Sequence, residues 1–468
     1  MRASSVAEPL RAGLPPDEGH DETRHDALDV PLRVRAWWGL GSLGTITYLN
    51  TVSALIVVYL TTIVKIDAAV AGSIVFAVRI VDACSDPLMG WITDRTHTRW
   101  GRRRPWLLLG AVVCGASLPL VYTLHAWAPA GATVLAATAA LIVYSLGFTL
   151  FNVPYLAMPV EMTESRTARI SVMAYRSVFM MIGSLIGSSG APYLLDKALG
   201  RDARGFGLLG LIAGAVVLVV MVATFLGTAG ARAHETPAPH VPIREQARAV
   251  LGNEPFMLLV GMKVLHFAAI ASTAGSTAFF VTMVLRQDFR ILPFLGITTT
   301  LSITLGVMFW RWIGPQVTKR HGLMVGIAGQ VVGTLLWLLA TPEDSRLFLG
   351  LRGAFDGFFT AAILLFGQSI WLDTIDYDQR RTGLRREGMY TSIYVFVERL
   401  GYSLGPLVLG VLLKMYEFNK NVPLEDQPPS AATAVMLSIV WVPAAAWALS
   451  LLFIWRYRLP DRGHRPRS

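Results

Sequence analysis

Residues 78–106 read VRIVDACSDPLMGWITDRTHTRWGRRRPW, an apolar run with embedded charges followed by a loop crowded with arginines. The first part holds Arg79, Asp82 and Asp86 within a long apolar stretch. Apolar runs that end in a short basic loop are typical of helices that cross a membrane and stop at its surface. The segment therefore predicts a membrane-spanning helix followed by a loop on one side of the membrane.

The composition of the whole chain supports this interpretation. Of 468 residues, 53% are hydrophobic and only 15% are charged, against about 25% charged in an average soluble domain. A soluble protein of this length needs far more polar surface to cover its core. The net charge of +10 does not predict nucleic-acid binding, because the basic residues lie in short loops between apolar runs. Cys84 and Cys114 lie inside apolar segments and predict neither disulfides nor a zinc site.

About twelve apolar runs have the roughly 20 residues that a spanning helix needs. Six precede and six follow a polar, proline-containing stretch. We therefore predict an all-α polytopic membrane protein with twelve transmembrane helices in two six-helix halves, a common plan for secondary transporters. The predicted parts are a disordered cytoplasmic tail (1–35), an N-terminal half (36–229), a central cytoplasmic linker (230–254), a C-terminal half (255–456) and a basic cytoplasmic tail (457–468).

The loops on the side of 96–103 carry an excess of arginine and lysine over the loops on the other side. Basic loops stay in the cytoplasm, so we expect both termini to be cytoplasmic. The polar, acidic first 30 or so residues lack the apolar core of a cleaved signal peptide. We expect a multi-pass protein of the cell's inner (cytoplasmic) membrane, surrounded by lipid.

Arg79, Asp82 and Asp86 are spaced by three and four residues and so share one helical face. Charges at membrane depth persist only where they face the bundle interior and find partners. Two carboxylates one turn apart, near a hydroxyl or amide, form a hard oxygen site for a small cation or share a proton. The alternative is a structural Arg–Asp pair that holds helices together.

The loop that follows suggests a gate. Asp94 and the arginines Arg102 and Arg103 are placed to clamp neighbouring helix ends and to separate during a conformational cycle. The alternative is that these charges only orient the protein in the membrane, and the two interpretations are compatible.

The stretches DPLMGW (86–91) and RWGRRRPW (99–106) resemble the signature of the glycoside–pentoside–hexuronide:cation symporters. This is the melibiose-permease-like branch of the major facilitator superfamily. LDTIDYDQRRTGLRREGMY (372–390) and FNVP (151–154) are further similar segments. The resemblance covers nearly the whole chain, 37–456, and implies the major facilitator fold and cation-coupled symport.

The resemblance also implies roles for individual residues. Asp82 and Asp86 match the two aspartates that bind the coupling cation, and Thr149 matches a hydroxyl ligand of that site. Ser85 stands where sodium-coupled melibiose permeases have asparagine, which leaves Na⁺ and H⁺ both open as the coupling ion. No other cofactor or metal is expected. Asp376, in the segment 372–390, is assigned with Arg79, Asp94, Arg102 and Arg103 to gating or structural roles.

The solute site differs from that of the melibiose permeases. Asn152 replaces an aspartate that binds the sugar, whereas Arg176 and Arg399 match basic residues of the family's site. We predict these three as substrate-binding residues, and the two arginines favour an anionic group such as uronate, sulfate or phosphate. The alternative is that the arginines pair with protein acids, for example Arg399 with Glu398. Ile46 stands where the melibiose permeases have another sugar-binding aspartate, and Leu156 and Leu364 stand where they have tryptophans near the sugar.

Lys263 and His266, three residues apart in the seventh apolar run, are a weaker signal. Such a pair lines a cavity in one interpretation and serves helix packing or snorkelling in the other.

The sequence thus predicts a secondary active transporter for cation-coupled symport of a glycoside, uronide or related small solute by alternating access. The alternative cargo is a lysolipid or other amphipath, since lysolipid carriers resemble the same family. An integral-membrane enzyme is disfavoured because no metal-ligand cluster, nucleophile elbow or Walker-type loop occurs. The expected partners are a small anionic or amphipathic solute and membrane lipids, with no nucleic acid, and the expected state is a monomer.

Overall fold

A computed structural model describes residues 30–163, 166–230, 252–382 and 387–458. Within these ranges the secondary structure is helical and no strand is found. Twelve helices are long and apolar enough to cross a membrane. The predicted all-α fold with twelve transmembrane helices is therefore confirmed.

We number the spanning helices α1 to α12 in chain order. The first six are α1 (Leu32–Ile63), α2 (Ala68–Arg95), α3 (Arg104–Tyr122), α4 (Thr133–Met162), α5 (166–199) and α6 (Ala203–Gly227). The second six are α7 (Glu254–Val284), α8 (Phe289–Gln316), α9 (Lys319–Leu339), α10 (Arg346–Thr382), α11 (Glu387–Met415) and α12 (Pro429–Arg456). Most of the predicted linker and of the two predicted tails lies outside the described residues.

The helix starts follow from local chemistry. α1 begins at Leu32, within the predicted tail, directly after Pro31; the fixed φ of proline suits a helix start. Side-chain oxygens of Asp67, Asp202 and Asn253 accept hydrogen bonds from the first backbone N–H groups of α2, α6 and α7. These N–H groups have no partner within the helix, so the caps set where each helix begins.

α1 and α7 end in the same way. Each finishes with a five-residue π-helical turn, Tyr59–Ile63 in α1 and Phe280–Val284 in α7. Each is followed by a residue with positive φ, Lys65 at 63° and Arg286 at 50°. Matching irregularities at corresponding points of the two sets of helices are what an internal structural repeat produces, and such repeats are common in transporters.

The two sets of helices meet mainly where α2 packs against α11. A Cβ added at Gly72 would overlap the carbonyl oxygen of Pro406, and one added at Gly410 would overlap that of Ala68. The glycines therefore let the two backbones touch, as small residues do between helices in membranes. α1 also contacts α7, and α5 contacts α8.

We call the end of the bundle that carries loop 96–103 the basic end, and the other the opposite end. At the opposite end, Arg201 contacts Asp196 (Nη2–Oδ1 2.6 Å) and reaches Glu425 (3.4 Å) and Asp288 (3.6 Å) of the other set of helices. Arg290 approaches Asp196 at 3.4 Å. These five residues form an ion-pair network that joins the two halves, and we call it the opposite-end network.

Candidate functional site

The two aspartates of α2 face two hydroxyl side chains of α4. Ser145 Oγ donates to Asp82 Oδ1 (3.0 Å). Thr149 Oγ1 lies 3.2 Å from Asp82 Oδ1 and 3.0 Å from Asp86 Oδ1. Each pair is spaced by four residues, so all four side chains lie on facing helical surfaces. Asp82 is buried, with 2% of its surface exposed.

Ser85 completes the group. Its hydroxyl donates to the backbone carbonyl of Asp82 (3.0 Å), and its oxygen lies 3.1 Å from Thr149 Oγ1. The single hydroxyl hydrogen of Thr149 cannot serve Asp82, Asp86 and Ser85 at once. Lone pairs therefore remain directed at the space between the carboxylates. The structure brings together all four residues predicted for the cation site, and adds Ser145, which the sequence interpretation missed.

Arg399 of α11 bridges the two aspartates. Its Nη1 lies 2.7 Å from Asp82 Oδ2, and its Nη2 pairs with Asp86 Oδ2. The planar fork of a guanidinium is suited to such two-point contact with carboxylates. Arg79 is more peripheral, 3.9 Å from Asp82 Oδ2, with its other nitrogen directed at Ser53.

This contact bears on the predicted role of Arg399 as a substrate ligand. We predicted it as a substrate ligand, with pairing to a protein acid as the alternative. In this conformation its guanidinium contacts Asp82 and Asp86, so it pairs with protein acids other than the example Glu398. The positive charge between the carboxylates is thus supplied by the protein itself. Contact with substrate in another conformation stays a prediction.

The donor set fits a small hard cation or a proton. Two carboxylates and three hydroxyl oxygens are the type of ligand that hard cations prefer. Among the described residues, no group of three or more His, Cys, Asp or Glu side chains is arranged to hold a metal ion. The coupling ion, Na⁺ or H⁺, stays a prediction.

In the described structure, the other predicted substrate residues form no hydrogen bond or ion pair with the two aspartates. Arg176 on α5 and Asn152 on α4 are both partly buried. The Nε of Arg176 is buried without a hydrogen-bond acceptor in the described part of the chain. Glu398, next to Arg399, lies within electrostatic range of Lys263, Arg399 and Arg176.

A cavity of about 590 Å³ lies between the two halves, within the size range of small-molecule sites. Arg79 and Ser145 line it on one side, and His266 lines it on the other. Of the α7 residues Lys263 and His266, His266 therefore lies at the cavity wall. Its ring packs between those of Phe267 and Trp447.

The predicted clamp is present as a set of contacts at the basic end. Arg103 pairs with Asp94 (2.6 Å), donates to Thr93 (2.5 Å) and donates to Glu161 (2.8 Å). Arg102 also pairs with Glu161 at 2.8 Å. The loop after α2 thus ties the end of α2 to the end of α4. Glu161 was missed, although an acid near the end of an apolar run was a visible signal.

Asp376 lies on the exposed surface of α10, three residues after Asp373. Asp373 pairs with Lys319 of α9 at 2.6 Å. This pair lies within the second half, as the pairs of Arg102 and Arg103 with Glu161 lie within the first. The gating roles of Asp94, Arg102, Arg103 and Asp376 remain predictions.

Twelve spanning helices in two halves around a central cavity with buried charges define a secondary membrane transporter. The chain belongs to the MFS/sugar transport protein family, whose model matches residues 37–461. The resemblance to glycoside–cation symporters is thereby confirmed, and the protein is a multi-pass membrane transporter of a small solute, not an enzyme.

Individual relatives cover most of the chain. The isoprimeverose transporter of Lactiplantibacillus pentosus is 24% identical over 439 residues, 92% of this chain and 89% of its own length. The sodium-dependent lysophosphatidylcholine symporter 1 of Mus musculus is 24% identical over 448 residues, 87% of this chain and 82% of its own. The crystal structure of the nucleoside transporter NupG superimposes with a TM-score of 0.64 at 13% identity, covering 91% of this chain and all of that one. This last similarity shows the fold alone.

Proposed function

We propose that this protein is a cation-coupled symporter that moves a glycoside, uronide or related small solute across the cytoplasmic membrane, with the basic end in the cytoplasm. The observation that carries the proposal is the site in which Asp82 and Asp86 face Ser145 and Thr149 and are bridged by Arg399. Burying these charges at membrane depth costs free energy, and apolar residues would pack the helices at least as well. The charges are therefore better explained by a function than by packing.

Coupling follows from competition for the two carboxylates. Without a coupling ion, the Arg399 guanidinium compensates their charge and links α11 to α2 across the two halves. An incoming Na⁺ or H⁺ supplies the same compensation and releases Arg399. Because the ion then favours a state in which the α2–α11 link is broken, ion binding and conformation are thermodynamically linked.

Alternating access requires one end to open while the other closes. The opposite-end network, including the Arg201 contacts, favours closure of that end. In the other state we expect these pairs to separate and contacts at the basic end to form, as in other transporters that rock two halves about a central site.

A second cargo has its own support. Leu156 and Leu364 stand where the resemblance expects tryptophans, and they are 37% and 45% exposed. Apolar side chains in place of the expected aromatic rings suit an acyl chain better than the face of a sugar ring. The mouse relative is a sodium-dependent lysophosphatidylcholine symporter. A sodium-coupled amphipath carrier is therefore the second candidate function.

The test is uptake by purified protein in proteoliposomes under an imposed Na⁺ or pH gradient, with labelled isoprimeverose, a glucuronide and lysophosphatidylcholine as cargoes. We expect accumulation of at least one cargo above equilibrium that depends on one of the gradients. Asp86→Asn should abolish accumulation while leaving exchange at equilibrium, and Asp426→Asn, at the opposite end, serves as a matched control. Accumulation by Asp86→Asn with unchanged ion dependence would show that the coupling site is elsewhere.

A further inference from the structure

Asp356 is an acid of the second half that takes no part in the site described above. It lies on α10, at the wall of the cavity between the halves. Its Oδ2 accepts a hydrogen bond from the indole Nε1 of Trp337 on α9 (2.7 Å). Its Oδ1 is buried and has no hydrogen-bond partner among the described residues. One oxygen of the carboxyl group is thus satisfied and the other is not.

Oδ1 of Asp356 occupies a slot that Gly333 of α9 leaves open. A Cβ added at Gly333 would overlap this oxygen, so a larger residue there would displace it. Gln330 of α9 fixes the backbone beside the slot, because its Nε2 donates to the carbonyl oxygen of Asp356 (2.6 Å) and to Oγ1 of Thr360 (2.9 Å). α9 and α10 therefore pack around this carboxyl group, and Oδ1 is shielded from water in this conformation.

No ion pair compensates a negative charge on Asp356 in the described part of the chain. Arg352, four residues earlier on α10, pairs with Asp344 instead. The polar side chains with which α8 and α9 line the cavity are uncharged, namely Thr299, Thr300, Gln330, Thr334 and Trp337. The titratable groups that line it from the remaining helices are Arg79, Tyr144, His266 and Tyr402, none of which forms a described hydrogen bond with Asp356.

A carboxylic acid fits these contacts better than a carboxylate. An unpaired charge at membrane depth is costly, and a buried acid in such a place takes up a proton instead. In the neutral form, one oxygen is a carbonyl that accepts from Trp337 and the other is a hydroxyl. We propose that Asp356 is a proton-binding site of the second half, with the proton on Oδ1, separate from the site of Asp82 and Asp86.

The position of Asp356 links its proton to conformation. When the proton passes to water in the cavity, the carboxylate that remains has to leave the slot beside Gly333 and turn into the cavity, where water solvates it. Proton binding therefore favours close packing of α9 on α10, and proton loss favours its loosening. Because the carboxyl group lies at the cavity wall, it exchanges protons with the side to which the cavity is open. A pH gradient thus acts on the second half independently of the ion at Asp82.

The test is thermal unfolding of the purified full-length protein, without added solute, from about pH 5 to about pH 9. Asp356→Asn keeps the shape of the neutral acid but cannot ionise. Under the proposal the folded wild type holds one more proton than the unfolded chain, in which the aspartate is ionised over this range. Its stability must then fall as the pH rises, by up to about tenfold in the unfolding constant per pH unit. We expect its unfolding temperature, relative to that of Asp356→Asn, to fall by roughly 1 to 3 °C per pH unit.

Glu343→Gln, at an exposed acid in the loop before α10, is the control and should differ from the wild type by the same amount at every pH. Gly333→Ala fills the slot and should abolish the pH-dependent difference as Asp356→Asn does, so it gives the same comparison if Asp356→Asn does not fold. The proposal is overturned if the wild type and these two slot variants differ equally at every pH, or if the wild type gains relative stability as the pH rises. The measurement needs neither a solute nor an ion gradient, so its outcome is independent of the uptake experiment above.

Discussion

Arg399 and Asp82 lie in different halves of the chain, yet Nη1 of the arginine is 2.7 Å from Oδ2 of the aspartate at the bundle centre. This pair, with the second contact to Asp86, is the ionic link between the halves at membrane depth in the described structure. The same two carboxylates are the predicted ligands of the coupling ion. In the proposed mechanism one site both holds the halves together and binds the ion, which is the simplest arrangement for coupling the two events.

Removal of Arg399 should make the protein dependent on a cation for stability. Arg399→Gln leaves the buried Asp82 and the partly buried Asp86 without their guanidinium, and loss of a buried partner typically costs about 3 to 5 kcal/mol. We expect a lower unfolding temperature than wild type in choline chloride at neutral pH. Added Na⁺, or a fall in pH that protonates a carboxylate, should restore more stability to the variant than to the wild type. Arg204→Gln, an exposed arginine near the start of α6, is the control, and an equal response of all three proteins would contradict the competition mechanism.

Arg201→Ala should open the opposite end. Arg201 contacts Asp288 and Glu425 of the other half as well as Asp196, and loss of these pairs removes part of what favours closure. In a background without Cys84, a cysteine placed at the cavity-lining Thr277 reports access from that end. We expect the labelling rate from that side to rise roughly tenfold, a typical size for a coupling free energy. An unchanged rate would mean that the network does not control closure.

Gly72→Leu should prevent the close packing of α2 on α11. A Cβ at Gly72 overlaps the carbonyl oxygen of Pro406, whereas a Cβ at Gly90 of the same helix meets no atom within 4 Å. Overpacking of this kind typically costs about 1 to 3 kcal/mol. We therefore expect Gly72→Leu to lower the unfolding temperature and to reduce transport, and Gly90→Leu to do neither. Equal effects of both would assign the loss to helix propensity and not to the interface.

The orientation is tested by reporter fusions at Gly101 and Gly200. Gly101 lies in the arginine-rich loop of the basic end and Gly200 in the loop between α5 and α6. The excess of arginine and lysine predicts that the first is cytoplasmic and the second is not. Reporters that require the cytoplasm and reporters that require the outside should therefore give opposite signals at the two positions. The same signal at both positions would refute the predicted topology.

Part of the predicted cation site could be inferred from spacing, because Asp82, Ser85 and Asp86 lie close together in the sequence. Asp82 and Asp86 share a face through their spacing, and the resemblance to the family supplied Thr149 and Ser85. Ser145 was missed, although its spacing of four from Thr149 places it on the same face of α4. The opposite-end network was not predicted, since its five charged residues come from three separate segments and each resembles an ordinary loop charge.

The sequence by itself determined that the chain is a bundle of twelve membrane helices in two halves. The hydrocarbon core of a bilayer offers no water to backbone N–H and C=O groups, so these groups must hydrogen-bond within the protein. An apolar run of sufficient length meets this requirement by forming a helix. Only the tertiary structure decided which charge faces which. The partner of Arg399 depends on how α11 crosses α2, and that crossing is set by backbone contacts at Gly72 and Gly410. Contacts between distant helices leave no periodic signal in either helix, so the pairing of Arg399 with the two aspartates of α2 could not be predicted from the sequence.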